Sequence, residues 1–252
     1  MSPLQALLLG LIQGITEFFP VSSSAHLCLA REFLGLPQGE EFRAFDLACH
    51  LGTLLALALF LRKEILSTLR SPRKIALFVL ALLPLVPVYF FCKPLLNILS
   101  HSSFLGYALL LTSFLLFLST LQKKTEKESD PPSWKSALSI GGMQTLALIP
   151  GISRSGSTIA LARLLGWSLP SAARFSFLLS IPAILGGTCL EAMHLLSHPL
   201  ALSPLSYCIA FSAAFITGLF AVRFVFWIYE KKSIAPFAWY CALLGIFAML
   251  TL

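Results

Sequence analysis

Charge is what this sequence has least of. Lys, Arg, Asp and Glu make up 12% of the 252 residues, about half the share of an ordinary soluble domain. Apolar residues make up 57%, more than a soluble core can hide, so the scarcity of charge excludes a soluble globular protein. Paired cysteines are missing too. Cys28, Cys49, Cys92, Cys189, Cys208 and Cys241 are scattered through apolar segments without CxxC spacing or clustered histidines. This argues against a disulfide framework or a thiolate metal site, and the residues read as small buried hydrophobes. The N-terminus has neither the basic stretch nor the small-residue cleavage site of a removable signal, and Glu17 follows its first apolar run, so Met1 onward is read as mature chain. The formal charge of +7 does not call for nucleic acid, because the basic residues collect in short segments between apolar runs.

What is present is a series of apolar runs. Six are long enough for a hydrocarbon layer of about 30 Å: 45–62, 75–92, 104–121, 172–192, 205–228 and 236–252. Three shorter ones, 4–16, 137–150 and 156–166, are broken by Pro, Gly, Ser and charges and read as re-entrant pieces. Arg62, Lys63, Arg70, Arg73 and Lys74 crowd the segment 62–74, and Lys123, Lys124, Lys127 and Lys135 the segment 122–136, whereas 93–103 has only Lys93. By the positive-inside rule the first two face the cytoplasm and the third lies outside. Lys231 and Lys232 put the following connection inside, and 193–204 has no Lys or Arg.

These assignments give two halves of opposite orientation, 1–121 and 137–252, joined by a cytoplasmic linker over 122–136. Pro20 to Phe45 repeats the spacing of Pro150 to Phe175, and AREFLG from Ala30 is similar to ARLLG from Ala162. Inverted repeats with broken helices that meet inside the bilayer are a recurrent transporter architecture. The expected fold is an all-α polytopic membrane protein with an inverted-topology repeat, about six transmembrane helices and two re-entrant helical hairpins whose tips meet.

The first tip reads QGITEFFPVSSSAH, Gln13 to His26. A carboxylate at membrane depth costs a few kcal/mol and persists where a partner or a wet cavity receives it; the alternative for Glu17 is snorkelling to the interface. Gln13 and Glu17 are four apart and share a helix face, so they could together approach Mg2+ or Ca2+, which prefer oxygen ligands. Pro20 is expected to stop the helix. Ser22, Ser23 and Ser24 then supply hydroxyls and the free N–H groups of a new helix start, which favours anions; simple capping is the alternative. His26 lies within one turn of Ser23, a base beside an alcohol nucleophile or a structural histidine.

The second tip reads PGISRSGST, Pro150 to Thr158. Gly151 and Gly156 permit close backbone approach, Ser153, Ser155, Ser157 and Thr158 donate hydroxyls, and Arg154 has the planar fork that matches phosphate oxygens. A Walker loop is excluded because the GxxxxGK(S/T) pattern is absent. Arg163, Arg174, His50 and Glu191 are secondary candidates, at a membrane boundary or lining the cavity.

These motifs resemble the bacitracin-resistance family of undecaprenyl-diphosphate phosphatases. QGITEFFPVSSSAH is similar to the family's (E/Q)GxTEFLPVSSxxH and PGISRSGST to its PGxSRSGxT, while FDLACHLGTLLA from Phe45, FSFLLSIPAI from Phe175 and KSIAPFAWY from Lys232 extend the likeness over the chain. The resemblance implies removal of the terminal phosphate of undecaprenyl diphosphate to return the cell-wall lipid carrier. It also implies a divalent cation, and an inner-membrane protein opening to the periplasmic side. By motif position Glu17, Ser23, His26 and Arg154 take the principal roles, with Gln13, Ser22, Ser24, Ser153 and the rest of the second tip around them. Three departures stand out: Gln13 where many members have Glu, Ser24 for a common Thr, and Ala25 for a common Gly. The first weakens any scheme with two metal-bound carboxylates. Ser23 attack assisted by His26, or water activated by His26, both remain open, as does lipid transport without hydrolysis. The expected partners are the lipid substrate and membrane lipids, with a homodimer open.

Overall fold

The computed structural model describes residues 1–39, 42–122, 132–195, 202–231 and 233–252. Most of the linker expected over 122–136, half of the stretch 193–204, and Lys232 lie outside these residues. Every regular element among the described residues is a helix. The first, α1 (Pro3–Thr16), starts on a capping box in which Gln5 N–H donates to Ser2 Oγ at 3.2 Å and Ser2 N–H to Gln5 Oε1 at 2.7 Å. It ends four residues before Pro20: Glu17 to Val21 form a turn, so the break comes earlier than the proline predicts. α2 (Ser23–Phe33) returns from that turn.

The chain continues through α3 (Arg43–Phe60), α4 (Arg62–Leu69), α5 (Pro72–Leu82), α6 (Leu85–Phe91), α7 (Lys93–Leu99) and α8 (Leu105–Thr120). A second helical hairpin follows, α9 (Trp134–Gln144), a 3-10 turn over Thr145–Leu148, and α10 (Arg154–Leu164). α11 (Leu169–Leu195), α12 (Pro204–Lys231) and α13 (Ala235–Thr251) complete the fold.

Five stretches are long and apolar enough to cross a membrane: Arg43–Phe60, Pro72–Phe91, Ser102–Thr120, Leu169–Met193 and Pro204–Glu230. They match five of the six expected runs. The sixth, 236–252, forms α13, whose 17 residues extend about 25 Å at roughly 1.5 Å per residue, short of a hydrocarbon layer of about 30 Å. Its packing on α8 explains how a short helix is held. Large apolar side chains point outward around the molecule, among them Phe90, Phe91, Phe220, Leu243 and Leu250. The same lipid-facing logic corrects the cysteine reading: Cys49 and Cys241 are buried, but Cys189 and Cys208 are exposed, because an apolar solvent removes the penalty for turning a small hydrophobe outward.

The hairpins are held by crossed packing. α1 lies on α12 and α9 on α5, while α10 packs on α8 and α11, and α11 on α3. Glycines permit the two crossings. A Cβ at Gly10 would come within 2.8 Å of the Ala210 carbonyl oxygen, and one at Gly141 would collide with the Ala81 carbonyl oxygen. Gly141→Ala is therefore expected to destabilise the protein by about 1–3 kcal/mol through overpacking. Gly142→Ala, where a Cβ meets nothing within 4 Å, should be neutral or slightly stabilising. Thermal unfolding of both in detergent checks the pair, and equal melting temperatures would count against the crossing.

Candidate active site

The first tip is pinned before it does any chemistry. Phe18 packs edge-on against Phe177 with ring centroids 5.9 Å apart, and Phe19 lies 5.4 Å from Phe237. With both rings anchored, the buried Glu17 points between the hairpins. Its Oε2 accepts from Gln13 Nε2 at 2.9 Å and from Ser23 Oγ at 2.8 Å. Gln13 Nε2 also meets His50 Nδ1 at 2.9 Å. One amide nitrogen that serves a carboxylate and a ring nitrogen must donate to both, so Nδ1 of His50 accepts. Gln13 Oε1 is left buried without a partner.

Ser22 holds the entry to α2. It has a φ of 68°, a left-handed value uncommon for a residue with a Cβ and often found at functional sites. Its hydroxyl accepts from Ala25 N–H at 3.4 Å and meets Ser24 Oγ at 3.2 Å. The strained turn aims Ser23 at Glu17 instead of letting it cap the helix.

The second tip enters from the other hairpin. Ser153 caps α10 by accepting from Gly156 N–H at 3.0 Å, and its own N–H donates to Thr112 Oγ1 on α8 at 3.0 Å. Gly151 has a φ of 96°, and a Cβ there would come within 2.7 Å of Ala108 Cβ. Only glycine fits so close to α8. Thr158 Oγ1 donates to the Arg154 carbonyl at 2.8 Å and meets Ser176 Oγ at 2.7 Å.

The two tips touch at three points. Arg154 donates through Nη2 to Glu17 Oε1 at 2.5 Å, Gly151 N–H donates to Ser24 Oγ at 3.1 Å, and Ser155 Oγ donates to the Phe19 carbonyl at 3.2 Å. Glu17, Ser23, Ser24, Gly151, Arg154 and Ser155 thus fall in one cluster. Nη1 of Arg154 is buried without a partner. A buried guanidinium nitrogen without a partner is costly, and an anion would satisfy it.

His26 is close but differently engaged. Its Nδ1 lies 2.7 Å from the Ser22 carbonyl and its Nε2 lies 2.7 Å from Tyr240 Oη. A carbonyl has no hydrogen, so Nδ1 donates and, in the neutral ring, Nε2 accepts from the tyrosine. The expected Ser23–His26 pair is not formed in this arrangement; Ser23 is paired with Glu17. Tyr240, Thr112 and Ser176 escaped the sequence reading because nothing near them in sequence marks them as polar partners of a tip. His50 was suspected only as a cavity residue. Arg163 is not at a lipid boundary: it is buried and donates to the Trp167 carbonyl at 2.7 Å.

A cavity of about 480 Å³ lies above the tips, lined by Ser24, Pro150, Arg31, Asp46, His50 and residues of the 100–102 turn. Arg31 is ion-paired with Asp46, which ties α2 to α3 along the cavity wall. A second cleft of about 330 Å³, lined by Arg43, Leu47, His50 and Glu191 among others, reaches His50 from between α3 and α11.

The description "Bacitracin resistance protein BacA" belongs to a family model that matches residues 6–247. The chain belongs to this family. Similar relatives include the undecaprenyl-diphosphatases of Protochlamydia amoebophila, 39% identical over 96% of this chain and 95% of the relative, and of Carboxydothermus hydrogenoformans, 38% identical over 98% and 96%. The protein of that name from Trichlorobacter lovleyi is 38% identical over 99% of this chain and 97% of its own length. The match spans both tips and the helices that carry them, so this BacA chain is a multi-pass membrane protein whose polar cluster lies within the family's shared length.

The cluster's oxygens bear on a divalent cation. Among the described residues there is no group of three or more His, Cys, Asp or Glu able to hold a metal. One carboxylate, the unpaired Gln13 Oε1 and nearby hydroxyls remain. That set is too poor for a cage built by the protein alone but suits a magnesium-like ion whose other ligands are water and phosphate oxygens.

Proposed function

We propose that this chain is an undecaprenyl-diphosphate phosphatase that releases the terminal phosphate and returns undecaprenyl phosphate to cell-wall synthesis, with the joined tips as its active site. The observation that carries this reading is the pairing of Arg154 with Glu17 while Nη1 of Arg154 stays free. In the reading, Arg154 Nη1 and the N–H groups at the starts of α2 and α10 hold the terminal phosphoryl group, where fixed donors oppose the charge of transfer. Glu17 takes the proton of Ser23 as Oγ attacks phosphorus. The P–O bond to undecaprenyl phosphate breaks, leaving a phosphoserine that water then cleaves to free phosphate and Ser23. His26 has both ring nitrogens engaged, by the Ser22 carbonyl and Tyr240 Oη; exchange of Tyr240 for the incoming water would free Nε2 to orient it. A divalent cation, held by Glu17, Gln13 Oε1 and phosphate oxygens, would neutralise diphosphate charge.

The inverted-repeat architecture, with halves 1–121 and 137–252, is part of this proposal. It is supported by the crossed packing of α1 on α12 and α9 on α5. Further support comes from shared spacing: Gly141, Gln144, Ser153 and Arg154 follow Gly10, Gln13, Ser22 and Ser23 at one constant offset. An inner-membrane location with the site opening outward is supported by the 100–102 turn at the cavity, which belongs to the segment with a single lysine.

The test is phosphate release from a polyprenyl diphosphate by the purified chain in detergent, with and without chelator. Ser23→Ala is expected to lower turnover by about 10³-fold or more, since loss of a serine nucleophile can cost up to about 10⁶, and rapid acid quench of the wild type should trap phosphate on Ser23. Appreciable turnover by Ser23→Ala would assign the attack to water. Lipid translocation without any phosphate release would favour a transporter.

A further inference from the structure

Away from the tips, on the face that carries the basic segment 62–74, α4, α5 and α11 enclose a cavity of about 330 Å³. Lys63, Lys74 and Arg174 line it together with one carboxylate, Glu64. Among the described residues no ion pair reaches Lys63 or Arg174. The cavity continues into an apolar groove of about 270 Å³: Thr68, Phe78 and Leu178 line both, and the groove runs on past Val79, Leu82 and Leu185. A basic head compartment opening into an oily channel is the shape of a lipid that ends in phosphate. Lys63 and Arg174 are the two cations that would meet a phosphate monoester, which carries about −1.5 to −2 near neutral pH.

One further relation singles out this cavity. Arg174 and Leu178 follow Arg43 and Leu47 at the spacing by which Ser153 follows Ser22, and Arg43 and Leu47 line the cleft that reaches His50. The two clefts therefore use the same positions of α3 and α11. We propose that the cavity between Lys63 and Arg174 is a second lipid site that binds the phosphomonoester headgroup of a single lipid, with its chain in the adjoining groove. The site is independent of hydrolysis, since none of its residues belongs to the tips.

The experiment measures binding of dioctanoyl phosphatidic acid, dioctanoyl phosphatidylcholine and inorganic phosphate to the full chain in neutral detergent, by titration calorimetry and native mass spectrometry. Wild type is compared with Arg154→Ala, Lys63→Gln/Arg174→Gln and Val79→Trp. Phosphatidic acid is expected to remain bound to Arg154→Ala and to weaken at least about tenfold in Lys63→Gln/Arg174→Gln, in keeping with the contribution of single basic residues at lipid surfaces. Val79→Trp, which blocks the groove and leaves the charges, should weaken it as well. Unchanged phosphate release by the double variant would show that it is folded. The proposal is overturned if phosphatidic acid binds the double variant as wild type, if phosphatidylcholine binds equally well, or if inorganic phosphate binds as tightly as the lipid. Absence of hydrolysis in every protein would sink the phosphatase reading and leave the binding result standing.

Discussion

Arg154→Ala is expected to lower phosphate release from a polyprenyl diphosphate by roughly 10³-fold or more. Removing one fixed donor from a transition-state site costs about 10²–10³ in rate, and this change removes a formal charge as well. It also leaves Glu17 buried with hydrogen bonds from the neutral Gln13 and Ser23 and with His50 Nδ1 3.6 Å away, and breaking a buried pair costs about 3–5 kcal/mol. A fall in activity could then be a fall in folded protein. Arg154→Lys separates the two: it retains a cation for Glu17 but cannot supply the second, forked donor. The expected result is a melting temperature near wild type for the lysine variant, with turnover still reduced by about 10²-fold. Measuring kcat and melting temperature on the same preparations checks this, and full activity of Arg154→Lys would show that point charge alone suffices.

The residues that meet in this site were legible because each tip is a local exception to its surroundings. Serine, glycine, proline and a single charge stand out against long apolar runs, and the constraint that polar backbone inside a membrane must be enclosed by protein brings such segments together. What sequence spacing could not supply was pairing. Ser23 and His26 are three apart and look like partners on a helix, yet the left-handed Ser22 turns Ser23 back toward Glu17 and hands His26 to Tyr240. Tyr240 is over 200 positions away on α13, and no local pattern announces it. The break of α1 at Thr16 was misplaced for a similar reason: anchoring of Phe18 and Phe19 by α11, α12 and α13 sets the turn, and Pro20 only follows it. The long spans were read well because length and hydropathy are properties of the segment itself. The shortness of α13 was legible too: the run 236–252 has 17 residues, as many as the helix it forms and fewer than any of the other five runs.

Glu17→Gln is the change expected to separate chemistry from binding. Glutamine is nearly isosteric, can still accept from Ser23 or Arg154, and removes a charge from the centre of the cluster. Loss of a positioned base costs about 10²–10⁴ in rate, so kcat should fall within that range. KM should stay the same or fall as well. Arg154 now spends Nη2 on the carboxylate; released from that ion pair, it offers both terminal nitrogens to the diphosphate, and the substrate no longer approaches a buried negative charge. A lower kcat with an unchanged or lower KM is the signature of a group used in the reaction but not in ground-state binding. Glu17→Asp, which retains the charge on a shorter arm, should recover part of kcat. A purely structural Glu17 would produce a different pattern: a drop in melting temperature, a raised KM, and equal losses for the glutamine and aspartate variants. Steady-state kinetics and thermal unfolding of the three proteins at saturating divalent cation distinguish the two patterns.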